Sequence, residues 1–137
     1  MSEQERDARV IESFGRRVIV EDANGERIAA ELFGKRLSCV CGDFVRIREA
    51  PQEGDVPRVI AVNPRRTLFA RTDSRGRTEP LAANLSLLAV ILAPEPPPDP
   101  YIADRYLAGA AYAEIASLVV VNKCDLPSAR DEKFVSL

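Results

Sequence analysis

Between residues 8 and 70, apolar and polar positions alternate in short runs. In Arg17-Val18-Ile19-Val20-Glu21 and Phe44-Val45-Arg46-Ile47-Arg48 the apolar side chains fall mostly on alternate positions, the period of a strand with one face in a core. The segments ARVIESFG, RRVIVED, RIAAELFG, CGDFVRIRE and VPRVIAV therefore read as five short strands. Breaks separate them at Asn24-Gly25, Gly34-Lys35, Cys41-Gly42-Asp43 and Gly54-Asp55, and Asn24-Gly25 is a strong hairpin signal. Such a series with almost no helical pattern predicts a small all-β barrel. The five-stranded OB-fold is the leading candidate, and an SH3-like barrel fits the spacing nearly as well.

After residue 80 the pattern changes. LSLLAVILA (85–93) is a near-continuous apolar run, as expected of a strand covered on both faces. PEPPPDP follows with five of the chain's ten prolines, which fits neither helix nor central strand. YIADRYLAGAAYAEIA (101–116) predicts a helix with an apolar stripe through Ile102, Tyr106, Leu107 and Ala110, capped by Asp99 with Pro100 at its first position. LVVV then reads as a second buried strand. The unit is β-α-β, so its strands should be parallel and its crossover right-handed.

Charge marks a boundary between these two regions. The net charge of −2 is uninformative, but residues 57–77 hold six arginines (Arg58, Arg65, Arg66, Arg71, Arg75, Arg77) and one acid, Asp73. From Leu81 onward four basic residues face seven acidic ones. The expected organisation is an OB-fold domain over 1–72, a basic linker over 73–83 and a partial α/β domain over 84–137. Those arginines, with Lys35 and Arg36 from a loop, are candidates for neutralising RNA phosphates. Phe33, Phe44 and Phe69 are the only aromatic residues nearby, and core packing would account for them equally well. Cys39, Cys41 and Cys124 form neither a disulfide framework nor, in a chain without histidine, a four-ligand zinc site. The charged N-terminus and the lack of an 18-residue apolar run predict a cytoplasmic protein with no membrane association.

The second strand ends in Asn122-Lys123-Cys124-Asp125, and in α/β sheets ligands bind beyond the carboxyl ends of strands. A carboxylate there accepts two hydrogen bonds from the N1–H and 2-amino group of guanine, whereas adenine offers an acceptor at N1 and no 2-amino donor. Asp125 would choose the base, Lys123 would lay its aliphatic stem along it, and Asn122 would pin neighbouring loops. Asn-Lys-x-Asp is the guanine-specificity motif of GTP-binding proteins. The phosphate cradle G-x-x-x-x-G-K-[ST] is missing: Gly34-Lys35 is followed by Arg36, and Ala29 stands where the first glycine should be. Two D-x-x-G strings, Asp22 to Gly25 and Asp73 to Gly76, read as simple turns.

A barrel, an arginine-rich joint and then the guanine motif ahead of any phosphate loop is the order of circularly permuted GTPases. The segments GKRLSCVCGDFVRI, RVIAVNPRRTLFAR, LAANLSLLAVILAPEPPP, DRYLAGAA and VVVNKCDLP, spanning about Val10 to Pro127, resemble the ribosome small-subunit-dependent GTPase A (RsgA/YjeQ) family. Ser86 departs from the aspartate usual there. The resemblance implies an OB-fold N-terminal domain that contacts ribosomal RNA and a circularly permuted P-loop GTPase domain. It also implies GTP or GDP with Mg²⁺ as ligands, zinc in a C-terminal domain that this chain does not contain, and action in late maturation of the small ribosomal subunit. Asn122, Lys123 and Asp125 would hold guanine, while catalytic residues would lie outside this sequence. The expectation is therefore a monomeric N-terminal portion of such a GTPase, inactive in hydrolysis alone and weak in guanine affinity. A stand-alone RNA-binding barrel with a vestigial tail, or a β-α-β unit completed by a second chain, are the alternatives.

Overall fold

The computed structural model describes residues 4–50, 52 and 54–137. Five strands, β1 (Glu5–Phe14), β2 (Arg17–Asp22), β3 (Arg27–Leu32), β4 (Phe44–Arg48) and β5 (Arg58–Val62), close into a barrel in the order β1-β2-β3-β5-β4. All neighbours are antiparallel except β3 and β5, an OB-type barrel as the alternation predicts. Inward positions recur at every second residue, so Val10, Val18, Val20, Val45, Ile47 and Val59 are each at most 1% exposed. Fully burying one such side chain stabilises by about 1.5–3 kcal/mol. Ala8, Ala30, Leu32 and Cys39 complete the core.

Residues 73–83 are not a linker. They supply the turn and second strand of a hairpin, β6 (Leu68–Thr72) paired antiparallel with β7 (Thr78–Ala83). The two D-x-x-G strings are hairpin turns of one design. Asp22 accepts from the backbone N–H groups of Asn24 (2.9 Å) and Glu26 (3.0 Å), and Asp73 from those of Arg75 and Arg77, both at 2.9 Å. In each, the glycine takes a left-handed conformation (φ 81° at Gly25, 76° at Gly76) that closes the bulge before the returning strand.

The segment from residue 85 onward forms a separate unit. Strands β8 (Leu87–Leu92) and β9 (Ala116–Val121) are parallel and in continuous register, joined by helix α1 (Ile102–Tyr112). Val90 and Leu92 of β8 pack with Ala103 and the partly buried Leu88, Ile102, Leu107 and Phe134. The helix is shorter than predicted at both ends. Asp99 lies three residues before it and makes an Asx turn, accepting from the Tyr101 N–H at 2.9 Å. At the other end Glu114 adopts φ 55°, Ile115 N–H donates to Ala110 O (2.8 Å) and Glu114 N–H to Ala111 O (3.1 Å), a Schellman stop built without glycine.

Two further expectations change. Tyr106, predicted on the buried stripe, is 41% exposed, and Ala103 takes the inward place. Strand β9, predicted buried, is exposed along its whole length. Among the described residues its only strand neighbour is β8, and the buried cluster of this unit takes its strand residues, Val90 and Leu92, from β8, so apolarity on both faces of β9 does not translate into burial here.

Candidate functional site

The guanine motif sits where the sequence places it. The Asn122 N–H donates to Leu92 O (2.8 Å), extending the β8–β9 ladder by one residue, and the chain then turns sharply. Lys123 takes φ 57°, a conformation rare outside glycine. It is held there from two sides: its N–H donates to Asn122 Oδ1 (2.8 Å) and its Nζ to the Glu95 carbonyl oxygen (2.7 Å). The Ser128 hydroxyl donates to the Glu95 carboxylate at 2.5 Å, so one residue of the proline-rich loop ties together both sides of the motif. Asp125 is exposed, and among the described residues its carboxylate has no hydrogen-bond or ion-pair partner.

Among the described residues this arrangement leaves both Asp125 carboxylate oxygens without a partner, two positions after a lysine whose ammonium is held by the proline-rich loop. The chain has no G-x-x-x-x-G-K-[ST] string. Among the described residues no three His, Cys, Asp or Glu side chains are grouped to hold a metal ion. Glu95, which contacts both Lys123 and Ser128, and Ser128 itself were missed by sequence reasoning; the proline-rich PEPPPDP run is the signal, and it does not say which carbonyl faces Lys123.

The eight basic candidates separate into three groups. Arg65 is structural. It makes a bidentate pair with Asp43, Nε–Oδ1 at 2.7 Å and Nη2–Oδ2 at 2.8 Å, and Asp43 is fully buried. That hydrogen bond raises the Arg65 pKa above its ordinary value. Arg71 pairs with Glu79 and Arg77 with Asp73 on the hairpin surface, at 2.7 and 2.8 Å. Lys35, Arg36, Arg58, Arg66 and Arg75 are exposed and have no carboxylate partner among the described residues.

Asp43 belongs to a buried joint between barrel and hairpin. Its Oδ2 also accepts from the Val40 N–H (2.9 Å). Asn84, at φ 57°, donates through Nδ2 to Gly42 O (2.9 Å) and accepts at Oδ1 from the Arg66 N–H (2.8 Å). Gly42 has φ 92°, and a Cβ there would run into the Ala83 carbonyl, so only glycine lets the two backbones meet. Cys41-Gly42-Asp43, predicted only as a break between strands, thus carries the acid that organises this joint. Beside it, burial and then the Asp43 charge push the Cys39 thiol up to about 11. Cys39 is buried, Cys41 half-buried and Cys124 exposed, all as free thiols. Among the described residues no helix is long and apolar enough to cross a membrane.

The family model described as RsgA GTPase matches residues 62–136. The small ribosomal subunit biogenesis GTPase RsgA of Pseudomonas aeruginosa is 38% identical over 122 residues, covering 89% of this chain and 35% of that protein. The protein of the same name from Chromohalobacter salexigens is 38% identical over 126 residues, covering 89% and 36%. The chain therefore spans about a third of the length of these curated relatives. Among solved structures, YjeQ from Thermotoga maritima superposes with a TM-score of 0.66 at 26% identity, over 97% of this chain and 45% of that one. YloQ, described as a circularly permuted GTPase, shares the fold with a TM-score of 0.65 at 15% identity, over 97% and 45%. With more than half of its residues inside the matched model, and with the barrel and the β-α-β unit both in place, the chain belongs to the RsgA GTPase family.

Proposed function

We propose that this chain carries the subunit-docking and guanine-reading parts of a cytoplasmic GTPase that acts in late maturation of the small ribosomal subunit. The observation that carries the guanine half is the unpartnered Asp125 carboxylate just beyond β9, with Lys123 fixed beside it by Glu95 O at 2.7 Å. Asp125 accepts from N1–H and the 2-amino group, and Lys123 covers the base. The barrel and hairpin contribute the RNA-facing half through Lys35, Arg36, Arg58, Arg66 and Arg75, a set supported by their exposure and lack of carboxylate partners. Arg65 is assigned to folding instead, and Arg71 and Arg77 to the hairpin's own ion pairs. The polypeptide acts as a monomer in this reading. GTP turnover by the purified chain should equal the buffer control, since nothing in it cradles phosphate.

Isotope-edited NMR titration with millimolar GDP, ADP and XDP tests the guanine assignment. Amide shifts confined to residues 122–126 with GDP, absent with ADP, are expected. In Asp125→Asn the preference should move to XDP, whose C2 carbonyl suits an amide donor and repels a carboxylate. Equal responses to GDP and ADP, or a variant that keeps its guanine preference, would remove Asp125 from the role.

A further inference from the structure

Phe33 and Phe44, which core packing and base stacking would account for equally well from the sequence, are not in the core. They are 55% and 41% exposed, whereas Phe69 is 7% exposed. Each carries a guanidinium over its ring: Arg58 lies 5.4 Å from the centroid of Phe33, and Arg9 lies 5.4 Å from that of Phe44. Neither arginine has a carboxylate partner among the described residues. Two exposed aromatic rings, each paired with an arginine left free of acids, form on one barrel face.

The register places Phe44 opposite Arg9 on the outer side of β4 and β1, and Phe33, just after β3, beside β5. Arg58 stands opposite Arg48. Phe33 donates its backbone N–H to Val59 O (2.9 Å), next to Arg58. Phe44 and Arg58 therefore mark opposite ends of the β4–β5 pair, about 14 Å apart at roughly 3.4 Å per residue. That separation is too long for one base and suits an extended strand. Between them, Arg46 and Arg48 are matched by Glu5 and Asp7, with Arg48–Glu5 at 2.8 Å. The middle of the face is thus nearly charge-balanced. Lys35 and Arg36 follow Phe33 in the same exposed loop, where they reach a phosphate next to a base seated on the ring.

We propose that Phe33 with Arg58, and Phe44 with Arg9, are two stacking platforms for unpaired bases of single-stranded RNA. The chemistry is sequence-tolerant, because every base has a π-face that can stack on the open side of a phenyl ring or on the guanidinium beside it. Paired bases keep their faces covered by their neighbours, so the platforms select unpaired segments over duplex. This proposal rests on the RNA-facing reading of the barrel given above and adds to it the part of the RNA that is read and the side chains that read it.

The test uses the 137-residue chain with a 10-nucleotide single-stranded RNA containing 2-aminopurine, and a duplex of the same length as the comparison. Stacking on Phe33 or Phe44 should change 2-aminopurine emission, and the single strand should bind at least tenfold tighter than the duplex. Phe33→Leu and Phe44→Leu should each weaken binding by about 5- to 100-fold and reduce the emission change, with unaltered thermal unfolding because both rings are exposed. Arg75→Gln should lower the salt dependence and leave the emission change intact. Wild-type binding that survives both leucine variants, or equal affinity for duplex, overturns the platforms while leaving RNA docking by the basic residues standing. No binding of either RNA by the wild type overturns both.

Discussion

The Asp43–Arg65 pair determines how charge substitutions on this protein must be read. Arg65 resembles its neighbours in sequence, yet its guanidinium neutralises a fully buried carboxylate. Removing one partner of such a pair strands the other charge, at a cost of about 3–5 kcal/mol. Arg65→Gln should therefore lower the thermal midpoint sharply, while Arg75→Gln, on an exposed hairpin tip, should stay within about 0.5 kcal/mol of the parent. A small effect of Arg65→Gln on the melting curve would refute the structural assignment. The Cys39 thiol gives a second check. Its pKa is raised from 9.0 to about 11 by burial and the Asp43 charge, so the folded state favours the neutral thiol. That contribution is complete below pH 9 and is lost as pH rises towards 11. Stability measured by urea melts should fall across this window, and Cys39→Ala should flatten the fall. Asn122, Lys123 and Asp125 were legible in the sequence because the motif is four consecutive residues after an apolar strand. Asp43 and Arg65 were not, since pairing across 22 positions leaves no local pattern.

Among elements, the barrel strands announce themselves because one face is wet and the other dry, so burial and alternation coincide. The β6–β7 hairpin hides in a basic stretch. Thr78, Glu79, Pro80 and Leu81 are all exposed, and without a dry face there is no period to read. The end of α1 is hidden differently, because Glu114 adopts a left-handed conformation that sequence rules reserve for glycine. That exception is itself testable. Glu114→Gly should raise stability by up to about 1 kcal/mol by relieving the Cβ clash, seen as a higher thermal midpoint. Gly42→Ala at the barrel–hairpin joint should do the opposite and prevent normal packing of Ala83. A destabilising Glu114→Gly would show that the Schellman stop does not control where the helix ends.

At the scale of the whole molecule, two units with unequal cores share one chain. Among the described residues the barrel core holds ten closely packed buried residues, whereas the helix–sheet cluster of the second unit centres on Val90, Leu92 and Ala103, and β9 is exposed throughout. Amide exchange should follow that difference, with β1, β2 and β4 exchanging last and β8 and β9 opening at lower free energy. Uniform protection across both units would contradict the division. The Asn122–Asp125 segment thus belongs to the unit with the smaller core, while the eight basic candidates all belong to the barrel-and-hairpin unit.

The proposed function places the barrel and hairpin of this chain against the small ribosomal subunit. Its most direct test is co-sedimentation of the 137-residue chain with purified small and large subunits across a series of salt concentrations. Docking predicts saturable binding to the small subunit alone, released as salt rises and weakened by combined Arg66→Gln and Arg75→Gln substitution. Binding to neither subunit, or equal binding to both, would contradict it.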